Sequence, residues 1–135
     1  MANLTKSRDD DRQEGVLIDA PHGENVIYAG AIVTVDSNGN AEAGETGKAI
    51  LGVAAEESTK GENVRIYTEG VFQFDGTGFT KADVGKRVKI GADDHSVALA
   101  TEAADASTGS PATPENQIVG KIVNFISATS VRVKL

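Results

Sequence analysis

The stretch at residues 61–74, GENVRIYTEGVFQF, limits the possible folds most, because most of its side chains alternate between apolar and polar. One parity carries Val64, Ile66, Phe72 and Phe74, and the other carries Arg65, Tyr67, Glu69 and Gln73. A period of two is typical of a β-strand with one face in a core. An unbroken strand of this length would span about 45 Å, longer than most strands, so we expect a bend or bulge at Gly70.

Composition restricts both the core and the chemistry. The 135 residues suffice for one sizeable core, and 15 glycines with 4% aromatic residues favour a β-rich domain built on small aliphatic side chains. With 13 Lys and Arg against 20 Asp and Glu, the net charge of −7 argues against a protein that mainly binds phosphate backbones. The absence of cysteine excludes disulfides, thiolate zinc sites and cysteine nucleophiles.

Turn signals between apolar segments indicate further strands. Asn38-Gly39 predicts a two-residue type I′ hairpin turn, in which both positions have positive φ. The segments GKRVKIG and SVALAT predict a second hairpin through ADDH, and alternation of Val131, Val133 and Leu135 predicts a final paired strand. We therefore predict an all-β fold, a compact β-barrel or β-sandwich over residues 16–135.

Two polar segments fall outside this pattern. Residues 1–15 mix charges with a single sizeable apolar side chain, Leu4, and predict a flexible N-terminal arm. Residues 101–117, TEAADASTGSPATPENQ, predict a long polar loop. The charged start lacks the apolar run of a secretory signal and no segment reaches the length of a membrane span, so we expect a soluble protein.

Two segments of the chain resemble each other faintly. AILGVAAEESTKGENVRIYTEG and QIVGKIVNFISATSVRVKL share an apolar pair before glycine, a strand, a turn and then Val-Arg followed by an apolar residue. Compact all-β domains reuse strand-turn-strand patterns without duplication. We therefore interpret the similarity as two similar hairpins and not as a repeat.

Few residues suggest catalysis or metal binding. His95 follows Asp93 and Asp94 in a turn-like segment, but adjacent turn residues are not expected to converge on one point, so a polar turn is favoured over a metal or acid-base site. The run Asp9–Asp11 lacks the spacing of a calcium loop. Tyr28 and Tyr67 are expected to pack at core edges. We expect no cofactor, no metal and no enzymatic activity.

The segment from Ala49 to Phe74, AILGVAAEESTKGENVRIYTEGVFQF, resembles the small capsid decoration, or cement, proteins of tailed bacteriophages. In it a glycine-turned strand, LGVA, leads through a polar turn into VRIYTEGVF. The flanking segments VIYAGAIVTVDSNGNAEAG and DVGKRVKIGADDHSVAL fit the same order of elements, so the resemblance covers residues 24–135.

This resemblance implies a compact β-barrel or tulip-like domain that assembles as a homotrimer on the outer surface of the virion. Its partners would be the major capsid protein and other copies of itself, without direct contact to nucleic acid or membrane, and it would be made in the host bacterial cytoplasm. Within that framework we expect the arm and the odd-numbered face of residues 61–74 to form the capsid or subunit interface: Leu4, Lys6, Arg8, Arg12, Arg65, Tyr67, Glu69 and Val71.

Two other classes of function remain open at this point. A tail-associated or carbohydrate-binding β-module would use exposed aromatic rings to stack on sugars, although the chain has no Trp. A small β-barrel hydrolase would use carboxylates such as Asp75, Asp83 or Asp93 at a subunit interface. An arm that is only a frayed terminus is the alternative to one that grips a capsid.

Overall fold

A computed structural model describes residues 17–23, 25–59, 62–102 and 112–135. Ten strands account for most of the regular structure: β1 (Leu17–Pro21), β2 (Ile32–Val35), β3 (Ala41–Ala43), β4 (Ile50–Ala54), β5 (Asn63–Tyr67), β6 (Val71–Asp75), β7 (Arg87–Ile90), β8 (Val97–Leu99), β9 (Ile118–Ser127) and β10 (Ser130–Lys134). Short 3₁₀ turns lie at Lys81–Asp83 and Glu115–Gln117. The predicted arm lies outside the described residues.

The strands form two five-stranded antiparallel sheets. The first has the order β1-β5-β4-β2-β3 and the second β6-β10-β9-β7-β8. The prediction of an all-β fold is therefore confirmed. Over the described residues the arrangement is sandwich-like, and neither sheet is closed into a barrel by a strand ladder.

The alternating stretch that begins at residue 61 crosses from one sheet to the other. β5 belongs to the first sheet and β6 to the second, and Gly70 between them has a φ of 124° that favours glycine. The expected bend is confirmed, and it separates two strands of different sheets. The predicted parity also holds: Val64 and Ile66 are fully buried, Phe74 is 2% exposed, and Arg65, Gln73 and Asp75 are exposed.

The second sheet repeats the topology of the first. Each strand of the first sheet corresponds to the strand five places later in the chain, and the two sheets have the same strand order. The paired residues correspond as well. The first sheet has the pairs Leu17–Tyr67, Val53–Tyr67, Ile32–Val53 and Val33–Ala43. In the same order, the second sheet has Val71–Lys134, Lys121–Lys134, Arg87–Lys121 and Val88–Leu99. We call residues 17–69 the first repeat and residues 70–135 the second. The two similar hairpins expected from the sequence exist as β4–β5 and β9–β10, but the expectation that they do not belong to a repeat is wrong.

Both repeats carry the same irregularity at the same place. The register shifts between Val33 and Thr34 where β2 meets β4, and between Val88 and Lys89 where β7 meets β9. Beside each shift lies a glycine, Gly52 or Gly120. A Cβ at Gly52 would overlap the carbonyl oxygen of Tyr67, and one at Gly120 would overlap that of Lys134. A bulge next to a close backbone approach increases the local twist of a sheet.

Each sheet buries one face in its own apolar cluster. The first cluster contains Val33, Ala54, Val64 and Ile66, with Ile18 and Leu51 at its edge. The second contains the corresponding Val88, Ile122, Val131 and Val133, together with Phe74 and Phe79. Ile32 and Val53 point from the other face of the first sheet into the second cluster. This shared contact joins the two repeats.

The hairpin predicted at Asn38-Gly39 exists, but its turn type was wrong. β2 ends at Val35 and β3 begins at Ala41, and only Gly39 has positive φ, at 81°. The Asp36 carboxylate accepts hydrogen bonds from the backbone N–H groups of Asn38 (2.8 Å) and Asn40 (2.9 Å). Asp36 thus stabilises a longer loop, which sequence reasoning from the Asn-Gly pair alone overlooked.

The ends of the predicted 101–117 loop lie close together. The N–H of Thr113 donates to the carbonyl of Thr101 at 2.8 Å, and the N–H of Thr101 donates to Oγ1 of Thr113 at 2.9 Å. Residues 103–111 lie outside the described residues. The final strand, β10, pairs with both β6 and β9, as its alternation predicted.

We predict that Gly52→Ala and Gly120→Ala each lower the free energy of unfolding by about 2 kcal/mol or more, because the added methyl group meets backbone that cannot move aside. Gly47→Ala is the control: it has a φ of 87° but open space around its Cβ position, and should cost only about 1 kcal/mol. Urea unfolding measures all three. Equal losses in the three variants would contradict the close approach.

Thr34 gives a second prediction, because its side chain is fully buried and Oγ1 has no hydrogen-bond partner among the described residues. Thr34→Val should raise the free energy of unfolding by about 1 kcal/mol, since it removes the unpaired hydroxyl at similar volume. Thr34→Ser keeps the hydroxyl but loses a methyl group, and should lower it by about 1 kcal/mol. Destabilisation by Thr34→Val in urea unfolding would show that the hydroxyl has a partner.

Candidate interaction surface

The outer face of the first sheet is apolar where the second repeat covers it. Ile32, Val53 and Tyr67 lie side by side on three neighbouring strands. Ile32 and Val53 are 0% and 1% exposed within the second cluster, and the half-buried ring of Tyr67 lies 5.5 Å from that of Phe72. The second repeat therefore packs on this row.

The corresponding row of the second sheet is cationic. Arg87, Lys121 and Lys134 take the places of Ile32, Val53 and Tyr67, and lie side by side in the same register. Lys121 and Lys134 are exposed. Val71, which is 45% exposed, pairs with Lys134 and extends the row on the edge strand β6.

Arg132 adds a fourth cation to this face. It corresponds to Arg65, whose Nε lies 3.7 Å from the Asp19 carboxylate on the neighbouring strand. In the second repeat Gln73 occupies the place of Asp19, and its amide donates to the Ser130 hydroxyl at 2.9 Å. We call Arg87, Lys121, Arg132 and Lys134 the basic face.

The charges of the basic face are unevenly compensated. Arg87 donates through Nε and Nη2 to Glu102 and through Nη1 to Glu115, with Nη1 2.7 Å from Oε1 of Glu115. These hydrogen bonds, first those to Glu102, raise the pKa of Arg87, and the same contact lowers the pKa of Glu102. Lys121, Arg132 and Lys134 form no ion pair within the described ranges.

Two of these cations oppose each other directly. Lys121 and Lys134 are register partners on adjacent antiparallel strands. Directly opposed residues have Cβ atoms about 5 Å apart, and like charges at such positions destabilise a sheet. The isolated chain thus keeps an unfavourable pair that an anionic partner would relieve.

The interface residues expected from the sequence are distributed over different environments. Leu4, Lys6, Arg8 and Arg12 lie outside the described residues. Arg65 is exposed but pairs with Asp19, and Glu69 is exposed near the crossover between the sheets. Tyr67 is half-buried between the two repeats, and Val71 borders the basic face.

The cations of the basic face were missed as site residues, although the sequence contained a signal for them. Aligning VRIY (residues 64–67) with VRVK (residues 131–134) places Lys134 at the position of Tyr67. Aligning ILGV (residues 50–53) with IVGK (residues 118–121) places Lys121 at that of Val53. Treating the similarity as a repeat would have revealed the change from apolar to basic.

A second exposed feature lies in the segment that leads into β2. Val26 and Tyr28 are 39% and 62% exposed, while Ile27 between them is fully buried. Ile27 exchanges backbone hydrogen bonds with Ser58 at 2.9 and 2.8 Å, and the N–H of Ala31 donates to the Tyr28 carbonyl at 3.1 Å. We call Val26–Tyr28 the apolar hook. The expectation that Tyr28 packs at a core edge was wrong, because inward Ile27 turns its neighbours outward.

The turn around His95 brings together side chains that were expected to diverge. His95 Nδ1 lies 3.1 Å from Asp94 Oδ1 and 3.2 Å from Asp93 Oδ1, and Nε2 lies 4.0 Å from Asp75 Oδ2. The contact with Asp94, followed by the other two carboxylates, raises the pKa of His95. Asp93, Asp94 and His95 could offer ligand atoms to a cation, but their mutual ion pairs already account for the arrangement.

The carboxylates considered for hydrolysis do not form one site. Asp75 and Asp93 both face His95, whereas Asp83 is buried at a 3₁₀ turn, where it accepts the N–H of Thr80 at 2.9 Å and binds Lys86 at 3.1 Å. The hydrogen bond from Thr80, then that from Lys86, lowers the pKa of Asp83. Asp83 thus serves the fold locally.

His95 gives a testable pH dependence. Because its pKa is raised in the folded state, its contribution to stability is present below about pH 6.5, the ordinary value, and is lost as the pH rises through the folded pKa. An NMR titration should place the His95 pKa above that value. Asp94→Asn should lower it, while Glu115→Gln, which removes a partner of Arg87, should not. An unchanged pKa in Asp94→Asn would refute the ion pair.

Comparisons with protein-family models, with curated proteins and with solved structures found no match for this chain. Neither short helix of the described part is long or apolar enough to cross a membrane.

Proposed function

We propose that the chain is a bacteriophage capsid decoration protein, which binds the outer surface of the head and stabilises contacts between subunits of the major capsid protein. It acts by surface contact as a homotrimer in the virion, after synthesis in the host cytoplasm, and it neither turns over a substrate nor requires a cofactor. The resemblance of residues 24–135 to such proteins motivates the proposal.

The apolar hook is the observation that carries this proposal. Tyr28, the most exposed of the large apolar side chains described, projects beside Val26 from a backbone that buried Ile27 fixes at both sides. Tyrosine on a rigid support is a frequent centre of binding energy at protein interfaces, because it covers much area and loses little entropy. A protein that reinforces seams of a shell needs such preformed contacts.

The repeat architecture also suits this task. Two sheets joined through Ile32 and Val53 provide a stiff body, and a stiff body transmits outward force between the groups to which it is bound. Binding several equivalent sites through one oligomer raises the effective affinity without any new contact. No catalytic group is required for this role.

The N-terminal residues belong to the same proposal. Leu4 would insert as an apolar anchor, and Lys6, Arg8 and Arg12 would face acidic groups of the lattice. The arm would order on binding, which costs entropy but extends contact over a neighbouring subunit. Residues Arg65, Glu69 and Val71 would contribute from the folded body.

Co-sedimentation with expanded heads that lack this chain tests the proposal. The full chain should pellet at a fixed number of copies per capsomer. Tyr28→Ser should weaken binding about tenfold or more, as expected for an interfacial tyrosine. Val84→Ser, which alters another exposed apolar residue that is 45% exposed, is the matched control and should bind normally.

A chain lacking residues 1–14 tests the arm separately. We expect its binding to the heads to weaken while its circular dichroism spectrum and melting temperature stay unchanged. Failure of the full chain to pellet with the heads would contradict the decoration role, and full binding by the shortened chain would contradict the gripping arm.

The exposed ring of Tyr28 also favours one alternative, a tail-associated or carbohydrate-binding module, because aromatic rings stack on sugars. Binding to an array of glycans that is lost in Tyr28→Ser, with no binding to heads, would favour this alternative over decoration.

A further inference from the structure

We propose that the basic face of one copy binds the first repeat of a second copy, so that copies associate head to tail. This inference specifies the contact within the proposed homotrimer and rests on that part of the proposed function.

The contact between the two repeats of one chain provides the first argument. The second repeat covers the outer row Ile32–Val53–Tyr67 of the first, and it adds a backbone hydrogen bond from the N–H of Ile32 to the Asp94 carbonyl at 2.7 Å. The outer row of the second repeat has the same position in its own sheet, and its residues Lys121 and Lys134 are exposed among the described residues. Within one chain, the second repeat binds the outer row of the first. The first repeat has the same strand order as the second, so the first repeat of another copy is the part of this protein best suited to bind the outer row of the second repeat.

The distribution of charge provides the second argument. The first repeat, residues 17–69, carries nine acidic and three basic residues, whereas the second, residues 70–135, carries seven of each. The chain as a whole is acidic. The side chains that replace Ile32, Val53 and Tyr67 in the second repeat are nevertheless all basic: Arg87, Lys121 and Lys134. A surface selected only for solubility would not require a single sign, whereas complementarity to an acidic repeat does.

The opposed pair Lys121 and Lys134 provides the third argument. Their charges lie side by side without a carboxylate partner within the described ranges, while neighbouring Arg87 is held by Glu102 and Glu115. Acidic groups from another copy would replace this repulsion with attraction, so the pair favours the associated state over the free chain. Val71 at the end of the row supplies apolar area to the same contact.

Such an interface joins two different surfaces, so it is heterologous. A heterologous contact closes into a ring when its rotation permits, and three copies would then alternate first and second repeats around the ring. Within a chain, the outer row of the first repeat binds the second repeat. Between chains, the outer row of the second repeat would bind the first repeat of the next copy. Association of this kind needs neither the capsid nor the N-terminal arm.

The mass of the purified full chain in solution tests the interface without capsids. We expect a trimer whose dissociation constant increases at least tenfold between about 50 and about 500 mM NaCl, because the opposed charges are screened. The triple variant Lys121→Gln, Arg132→Gln and Lys134→Gln should also dissociate at least tenfold more easily. A monomeric full chain, or a triple variant that associates normally, would overturn the proposal.

A matched triple variant controls for net charge. Lys6→Gln, Arg8→Gln and Arg12→Gln changes the total charge equally but alters only the N-terminal arm, which this association does not need, so this variant should remain a trimer. Dissociation of this control to the same degree would show a general charge effect and would also overturn the proposal. Circular dichroism verifies that both triple variants are folded.

Zero-length carbodiimide cross-linking locates the contact. In a mixture of ¹⁴N- and ¹⁵N-labelled chains, mixed-isotope products should join Lys121 or Lys134 to carboxylates within residues 17–69. Links confined to other lysines would exclude this orientation. Trimers that fail to pellet with heads would refute decoration but not this interface. Monomers that still pellet would refute this interface and the homotrimer but not decoration.

Discussion

The fold depends on two places where neighbouring strands approach so closely that only glycine fits. Gly52 and Gly120 lie beside the carbonyl oxygens of Tyr67 and Lys134, next to matching register shifts. A bulge at a close approach bends and twists a sheet, and each sheet can then enclose its own apolar cluster with side chains no larger than valine and isoleucine at most central positions. This explains how a chain with so few aromatic residues builds two cores.

Comparison of the two repeats distinguishes the positions that folding requires to be apolar from the surface positions that can change. Inward positions remain apolar in both repeats, as in Val64 and Val131, and the arginines that follow them remain outward. The outer row diverges completely, from Ile32, Val53 and Tyr67 to Arg87, Lys121 and Lys134. The inner positions are held by the core, whereas the outer ones reflect what each sheet meets: the second repeat in one case and, we infer, another copy in the other.

The sequence predicts much of this architecture where a local pattern is sufficient. Alternation identified the buried side of β5, β6 and β10, and Gly70 marked the crossover, since both features depend on neighbouring residues in the chain. The conformation of the Asp36–Asn40 loop was not predicted, because it depends on a carboxylate that caps two N–H groups beyond the Asn-Gly pair.

The candidate surface was less predictable for a different reason. Lys121 and Lys134 are far apart in the chain and become neighbours only through the pairing of β9 with β10. Exposure of Tyr28 likewise depends on the bridge from Ile27 to Ser58, which orients the adjacent side chains. Val71 was chosen from its parity alone, and the structure adds its position beside the basic face.

A cryo-electron microscopy reconstruction of expanded heads saturated with the full chain tests the account most directly. We predict rings of three copies on the outer surface, with Lys121 and Lys134 of each copy facing the first repeat of the next and Tyr28 directed toward the shell. Heads without added density, or isolated copies whose basic face points into solvent, would contradict it.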